Sequence, residues 1–345
     1  MVFGQVKKLW GLFIVLLAGV LTVMALLIRG GSEPETALTR IPPKDVYRIG
    51  ILRSGSLPEE ERLLKGFLEA LAANGYRNGG RADITIFSGE GRPEKMESGV
   101  QALLLGKPDL VAVLGNEAAE AAAGAFHTTP VVGMGILGFR NAPWIRGHEN
   151  FTGMESWPGV LAQVAAAKRL VPFQRLGVLY SAGDKESLMQ LGWLRAAAER
   201  KNAYLYEIAV GEGERPLDRA SDFIGHADAV YIAEDENVLK EFDQVVQVLT
   251  RAGIPIIGGE ENMVRRGALI SVSEDYYRMG FEAGKIADTL LKGGALPAEI
   301  PIRKQKENDL VVNMAAADAF HIKLPSDIWQ KARKLYLYDG EPARP

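Results

Sequence analysis

The chain repeats itself. RIGIL at residues 48–52, followed by a serine-bearing loop, returns as RLGVL at residues 175–179 with another serine-bearing loop. PDLVAVLGNEAA (108–119) is answered by ADAVYIAEDENV (227–238), and TPVVGMG (129–135) by IPIIGGE (254–260). The spacing is preserved: Gly50 and Gly177 are 127 residues apart, while Pro130 and Pro255, like Gly133 and Gly258, are 125 apart. A half duplicated in this way folds as two similar lobes, and two lobes enclose a cleft. The length of 345 residues agrees, because single cores stop growing at about 250–300 residues and longer chains divide.

Within each half, short β-branched runs alternate with Ala- and Leu-rich segments, the pattern of βαβ units with parallel strands. The first half predicts strands at residues 47–52, 83–87, 110–114 and 131–133, with helices at 58–74, 93–105 and 118–126. The second half predicts strands at 175–180, 204–209, 229–233 and 255–257, with helices at 185–202, 216–224 and 236–252. Uninterrupted apolar strands such as LVAVL need helices on both faces. Beyond the repeat, GALISVS (267–273) and residues 309–313 read as further strands, and 276–292 as a helix. The expected fold class is therefore α/β, with two Rossmann-like parallel-sheet lobes joined by a multi-strand hinge. Residues 46–150 plus about 265–300 would form the first lobe, and 151–264 plus about 301–325 the second. The chain would cross between them near 151–153, 264–267 and 300–306, leaving 326–345 as a solvated tail.

Lys7 and Lys8 precede an uncharged apolar run at residues 9–28. As a helix, about 20 residues span roughly 30 Å of hydrocarbon, longer than the usual signal-peptide core of about 7 to 15 residues. Residues 1–30 are accordingly read as a signal anchor with a transmembrane helix, and the Gly- and Pro-bearing stretch 31–45 as a linker. Charge bias places the lysines inside. The lobes would then lie on the extracytoplasmic (periplasmic) side of the cytoplasmic membrane. Cleavage near Val23-Met24-Ala25 is the alternative and would release them to the periplasm. A formal charge of −3 gives no basic footprint for nucleic acid. The absence of cysteine excludes thiol catalysis and thiolate metal sites.

In open parallel sheets, ligands bind beyond the carboxyl ends of the strands. The loops expected there are 53–56, 115–117, 133–138, 181–187, 234–237 and 258–262, rich in Ser, Asn, Asp and Glu that either cap helices or hold a polar solute. Candidate ligand residues are Ser54, Ser56, Asn116, Met134, Tyr180, Ser187, Asp235 and Glu260. GMGILG (133–138) matches GxGxxG after a strand, but Asn141 and Pro143 follow where a dinucleotide fingerprint opens a helix, so it is read as a loop. The four histidines lack ligand spacing, and no nucleophile, base and orienter set is visible. No enzyme activity, cofactor or metal is expected.

With those motifs in order, the chain resembles the substrate-binding proteins of ABC transporters in the tryptophan/tyrosine-type family, which have the type 1 periplasmic binding protein fold. The resemblance runs from YRIGIL through ENFTGM (149–154), RLGVLYSAGDKESL (175–188), DAVYIAEDENV (228–238), IPIIGGEENMVRRGAL (254–269) and SEDYYRMG (273–280) to VVNMAAADAFHIKLP (311–325). It implies capture of a small solute, often an amino acid, between closing lobes, and its delivery to an ABC permease and its ATPase. It also implies ligand contacts from Ser187 and Asp235. Two positions depart from the family pattern: Glu186 replaces the usual asparagine before the serine, and GMGILGF replaces a Val-x-Asp-Pro pattern. An added carboxylate disfavours an anionic ligand end, so a small polar or cationic solute stays open beside an amino acid. Ligand sensing without transport is the alternative function.

Overall fold

A computed structural model describes residues 38–336 and 342–343. The sequence repeat is a structural repeat. The first sheet, ordered β2-β1-β3-β4-β5, comprises β1 (Tyr47–Arg53), β2 (Ala82–Ser88), β3 (Leu110–Leu114), β4 (Val131–Leu137) and β5 (Phe151–Ser156). In the second, β6 (Arg175–Ser181), β7 (Tyr204–Val210), β8 (Ala229–Ile232), β9 (Ile256–Gly258) and β10 (Ile270–Ser273) take the same relative order, β7-β6-β8-β9-β10, and all pair in parallel. That sheet continues with β11 (Asp309–Asn313) antiparallel to β10, then β12 (Ala332–Tyr336) parallel to β11, and finally β13 (Pro342–Ala343). The central strands β3 and β8 are buried along their whole length, as expected when helices cover both faces. The edge strand β2 leaves Asp83, Thr85 and Ile86 exposed to solvent.

The first sheet's two faces carry separate apolar cores, one containing Ile49, Phe67 and Ala112, the other Leu103, Val111 and Phe139. The helix Pro58–Ala73 packs on the first of these against the late helix Tyr276–Leu291. Their backbones meet through glycines: a Cβ on Gly66 would lie 2.0 Å from the Tyr277 carbonyl oxygen, and one on Gly280 2.0 Å from that of Leu63.

Several expectations need correction. β4 runs on to Leu137, so GMGILG is strand and not loop; it carries a bulge between Met134 and Ile136, where Gly135 takes φ +67°. This continuation buries Met134 completely. β5, expected at a crossing into the second lobe, is the fifth strand of the first sheet. It lies so close to β4 that a Cβ on Gly153, at φ +143°, would sit 1.9 Å from the Gly133 carbonyl oxygen. β10, grouped with the first lobe, pairs in the second sheet. The helix Val160–Leu170 had no counterpart among the predicted elements.

The chain passes between sheets after Ser156, after Ser273 and between Arg303 and Asp309, with Arg303 still bridged to Met154. Much of the supposed tail is structured: Ser326–Lys331 is a helix, and β12 is a sheet strand because Ala332 and Leu335 find a core to fill. The end of the supposed linker is packed too, with Ile41 buried in the first core. Among the described residues no helix is long and apolar enough to cross a membrane; the run 9–28 lies outside them.

Candidate functional site

Loops at the carboxyl ends of strands from both sheets converge on a cavity of about 180 Å³. On the first-lobe side, β1 ends at Arg53 and a short turn leads into the helix Pro58–Ala73, whose first turn holds Glu59, Glu60 and Glu61 behind a proline at its start. Glu60 reaches back, both carboxylate oxygens accepting the Gly55 N–H at 2.9 and 3.1 Å. Ser54 ties this turn to its neighbour, its hydroxyl donating to the Leu114 carbonyl and accepting from the Ala118 N–H, each at 3.1 Å. Gly115, at φ +83°, must be glycine here, since a Cβ would lie 2.6 Å from Ser54 Oγ. Asn116 braces the end of β4 by bonding both the N–H and the carbonyl of Leu137, at 2.7 and 3.0 Å.

On the second-lobe side, three helix starts at the cleft are capped by carboxylates. Asp184 accepts the Ser187 N–H at 2.6 Å, Asp235 the Val238 N–H at 3.1 Å, and Glu260 the Asn262 and Met263 N–H groups at 2.7 and 3.0 Å. Asp235 also accepts from the Ser181 N–H (2.7 Å), Ser181 Oγ (3.0 Å) and Ser187 Oγ (2.5 Å). Gln190 pairs with the backbone of Glu234. At the crossing segments, Ser156 Oγ and the Trp157 N–H donate to Glu274, and the Tyr276 hydroxyl, beginning the late helix, donates to Glu234 at 2.9 Å. Arg62, from the Pro58–Ala73 helix, forms an ion pair with Glu261 of the second lobe at 3.2 Å.

The cavity wall is acidic. Glu59, Glu60, Glu117, Asp184, Glu186, Glu234, Glu236 and Glu260 line it, and its described lining includes no Lys, Arg or His. Crowding of carboxylates in a partly dry cleft disfavours their charged forms. Burial pushes Glu60 up to about 7 against the opposing pull of the Gly55 N–H and Arg53. Burial, then Asp184, Glu117 and Glu60, pushes Glu186 up to about 7. Glu234 is pushed to about 8, again chiefly by burial, although the Tyr276 hydroxyl bond opposes this. Glu260 is held well above the ordinary carboxylate range by burial and by Glu59 beside it.

Of the residues singled out from sequence, Ser54, Asn116 and Glu260 line the cavity. Ser56 is exposed outside that lining. Met134 is core, and Tyr180 packs on the second-lobe core. Ser187 and Asp235 are buried and bonded to one another, outside the lining. Glu59, Glu60, Gln190 and Tyr276 line the cavity without having been singled out. Glu59 and Glu60 did carry a signal, an acidic first helical turn directly after the β1 loop. Gln190 and Tyr276 carried none that local pattern could supply.

Two lobes of one topology, joined by three crossing segments over a polar cleft, define the class of two-lobed solute-binding proteins with the type 1 periplasmic binding protein fold. The chain belongs to the ABC transporter substrate binding protein family, which matches residues 48–336. It is 24% identical over 327 residues to a tyrosine-binding protein of Clostridioides difficile, covering 93% of this chain and 94% of that protein. Among solved structures, it resembles an ABC domain in complex with L-Trp from Streptococcus pneumonia. The TM-score is 0.74 at 26% identity, over 84% of this chain and 99% of that one. A ligand-free, open substrate binding protein with adhesive properties from Clostridium difficile shares the fold. There the TM-score is 0.70 at 23% identity, covering 83% of this chain and 98% of that one.

Proposed function

We propose that this protein is the extracytoplasmic solute-binding component of an ABC transporter, capturing a small polar or amino-acid-like ligand between its lobes and passing it to a permease and its ATPase. The observation that carries the reading is the cavity itself, lined by loops from both sheets at their strand ends. A ligand contacting both walls favours the closed arrangement by its differential affinity for it. The tyrosine-binding relative and the L-Trp complex support an amino-acid-like solute. The apolar run at residues 9–28 acts as the membrane anchor in this reading, holding the lobes near the permease. No chemical step is assigned to the site; its side chains serve binding.

Among the residues first singled out, Ser54, Asn116 and Glu260 are assigned to the cavity wall, while Ser187 and Asp235 hold the second-lobe wall in shape. The test is a thermal-shift screen of full-length protein in non-ionic detergent against amino acids, amines, sugars and nucleosides. A true ligand at 100 times its Kd raises stability by about 2.7 kcal/mol. A screen in which no solute raises the melting temperature would sink the reading.

A further inference from the structure

We infer that the solute held in this cavity is an aliphatic di- or polyamine, a ligand with at least two ammonium groups joined by methylenes. The inference rests on the solute-binding reading above and names the ligand's chemistry.

A zwitterionic amino acid needs a partner for its carboxylate, normally a basic side chain or unpaired N–H groups at a helix start. The cavity's described lining supplies no basic side chain. At two second-lobe helix starts around it the protein's own carboxylates already take backbone N–H groups, Asp184 that of Ser187 and Glu260 those of Asn262 and Met263, and in the first lobe Glu60 takes the Gly55 N–H of the loop after β1. A ligand carboxylate would therefore face a wall dominated by carboxyl groups, with no cationic side chain in the described lining to pair with it. Arg53, outside the lining, is divided between Glu61 at 2.6 Å and Glu60 at 4.0 Å, and Arg62 pairs with Glu261 at 3.2 Å.

The carboxylates instead ask for donors. Glu59 is 8% exposed, lines the cavity, and its Oε1 is buried without a hydrogen-bond partner. An acceptor of this kind costs free energy until a donor arrives. Glu59, Glu260 and Glu234 act on one another and form one acidic group, beside the Tyr276 hydroxyl. Glu60 and Glu117 of the first lobe and Asp184 of the second each act on Glu186, so carboxyl groups of both lobes face one another across the cavity. Acidic side chains on both walls of one cavity, Glu59, Glu60 and Glu117 from the first lobe and Asp184, Glu186, Glu234, Glu236 and Glu260 from the second, match a ligand with a positive charge at each end. Leu57, Leu63 and Leu239 in the same wall suit the methylenes between them. A single metal ion fits less well, since among the described residues no three His, Asp or Glu side chains converge as a metal site.

The experiment is isothermal titration of the full-length protein in detergent with spermidine, L-tryptophan, L-tyrosine and Mg²⁺, repeated on Glu59→Gln. The glutamine side chain keeps the shape and removes the charge without breaking a resident hydrogen bond at Oε1. We expect spermidine to bind and the two aromatic amino acids not to. In Glu59→Gln, spermidine affinity should fall at least tenfold while the unligated melting temperature holds or rises. Tight binding of tryptophan or tyrosine without spermidine overturns the amine assignment and leaves the solute-binding reading standing. Mg²⁺ binding as tightly as spermidine, or an unchanged affinity in Glu59→Gln, overturns the assignment too. Failure of every solute, in this titration and in the broader thermal screen, overturns both.

Discussion

Asp235→Ala should unfold the second lobe's cleft wall rather than simply remove a ligand contact. Its carboxylate caps the helix Glu236–Lys240 at the Val238 N–H and accepts three further bonds from Ser181 and Ser187, with only 2% of the residue exposed. Alanine leaves the buried N–H groups of Ser181 and Val238 without these acceptors. A lost cap costs about 1 kcal/mol, and an orphaned buried donor about 1–3 kcal/mol. The loss of charge-assisted bonds to two buried hydroxyls brings the total to roughly 4 kcal/mol. At about 2–4 °C per kcal/mol for a large domain, the melting temperature should fall by roughly 10 °C. Asp235→Asn keeps one acceptor oxygen and should lose about half as much. The assay is calorimetric melting of the unligated full-length protein, paired with titration of whichever solute the thermal screen identifies. An Asp235→Ala protein that melts within about 2 °C of the parent, while its ligand affinity falls tenfold or more, would refute this role. That outcome would make Asp235 a ligand contact, the role the family resemblance implied for it.

Other outcomes follow from the same structure. Gly66→Ala places a Cβ 2.0 Å from the Tyr277 carbonyl oxygen, so the two packed helices must separate. Chemical denaturation should register a loss of about 3 kcal/mol. Unligated stability should fall as pH rises through the cavity's titration. Glu186 and Glu234 have folded values of about 7 and about 8 against an ordinary 4.5, so the folded state binds more protons than the unfolded one between those limits. Their favourable contribution is complete below about pH 4.5 and lost as pH climbs through 7 to 8, each tenfold difference in proton affinity between the two states being worth about 1.4 kcal/mol. Urea denaturation at pH 5 and pH 8 measures it, and Glu186→Gln with Glu234→Gln should flatten the difference; a parent that gains stability toward pH 8 through these groups contradicts the sign. Arg62→Ala cuts the pair to Glu261 across the lobes. The unligated protein should show a larger radius of gyration in small-angle scattering, with ligand restoring the compact value.

The repeat made the lobes legible because strand and helix signals are local. RIGIL and RLGVL, PDLVAVL and ADAVYI all became matching strands in matching sheet positions. β5 was harder to place. FTGMES has an interior glycine and no strong β-branched run, and it forms a strand because Gly153 lets its backbone press against Gly133 of β4. β12 was read as tail for a related reason. ARKLY looks solvated until Ala332 and Leu335 find the second-lobe core and Lys334 reaches Glu261 at 2.8 Å.

In the site, residue type was readable and direction was not. Ser54, Asn116 and Glu260 stand at strand ends whose positions follow from the repeat, and they do line the cavity. Ser187 and Asp235 stand at equally plausible strand ends. They face each other because a hydroxyl 48 residues away in the chain comes within 2.5 Å of the Asp235 carboxylate.

Periodicity, glycine spacing and duplicated strands, all properties of neighbouring residues, determined from sequence alone that this chain makes two α/β lobes with loops meeting between them. Whether a given carboxylate satisfies its own helix or stands unpaired in the cavity depends on partners brought together from distant parts of the chain. Tertiary packing alone decided that Asp235 is spoken for, that Glu59 has an oxygen without a donor, and that the acidic residues of both lobes share one cleft.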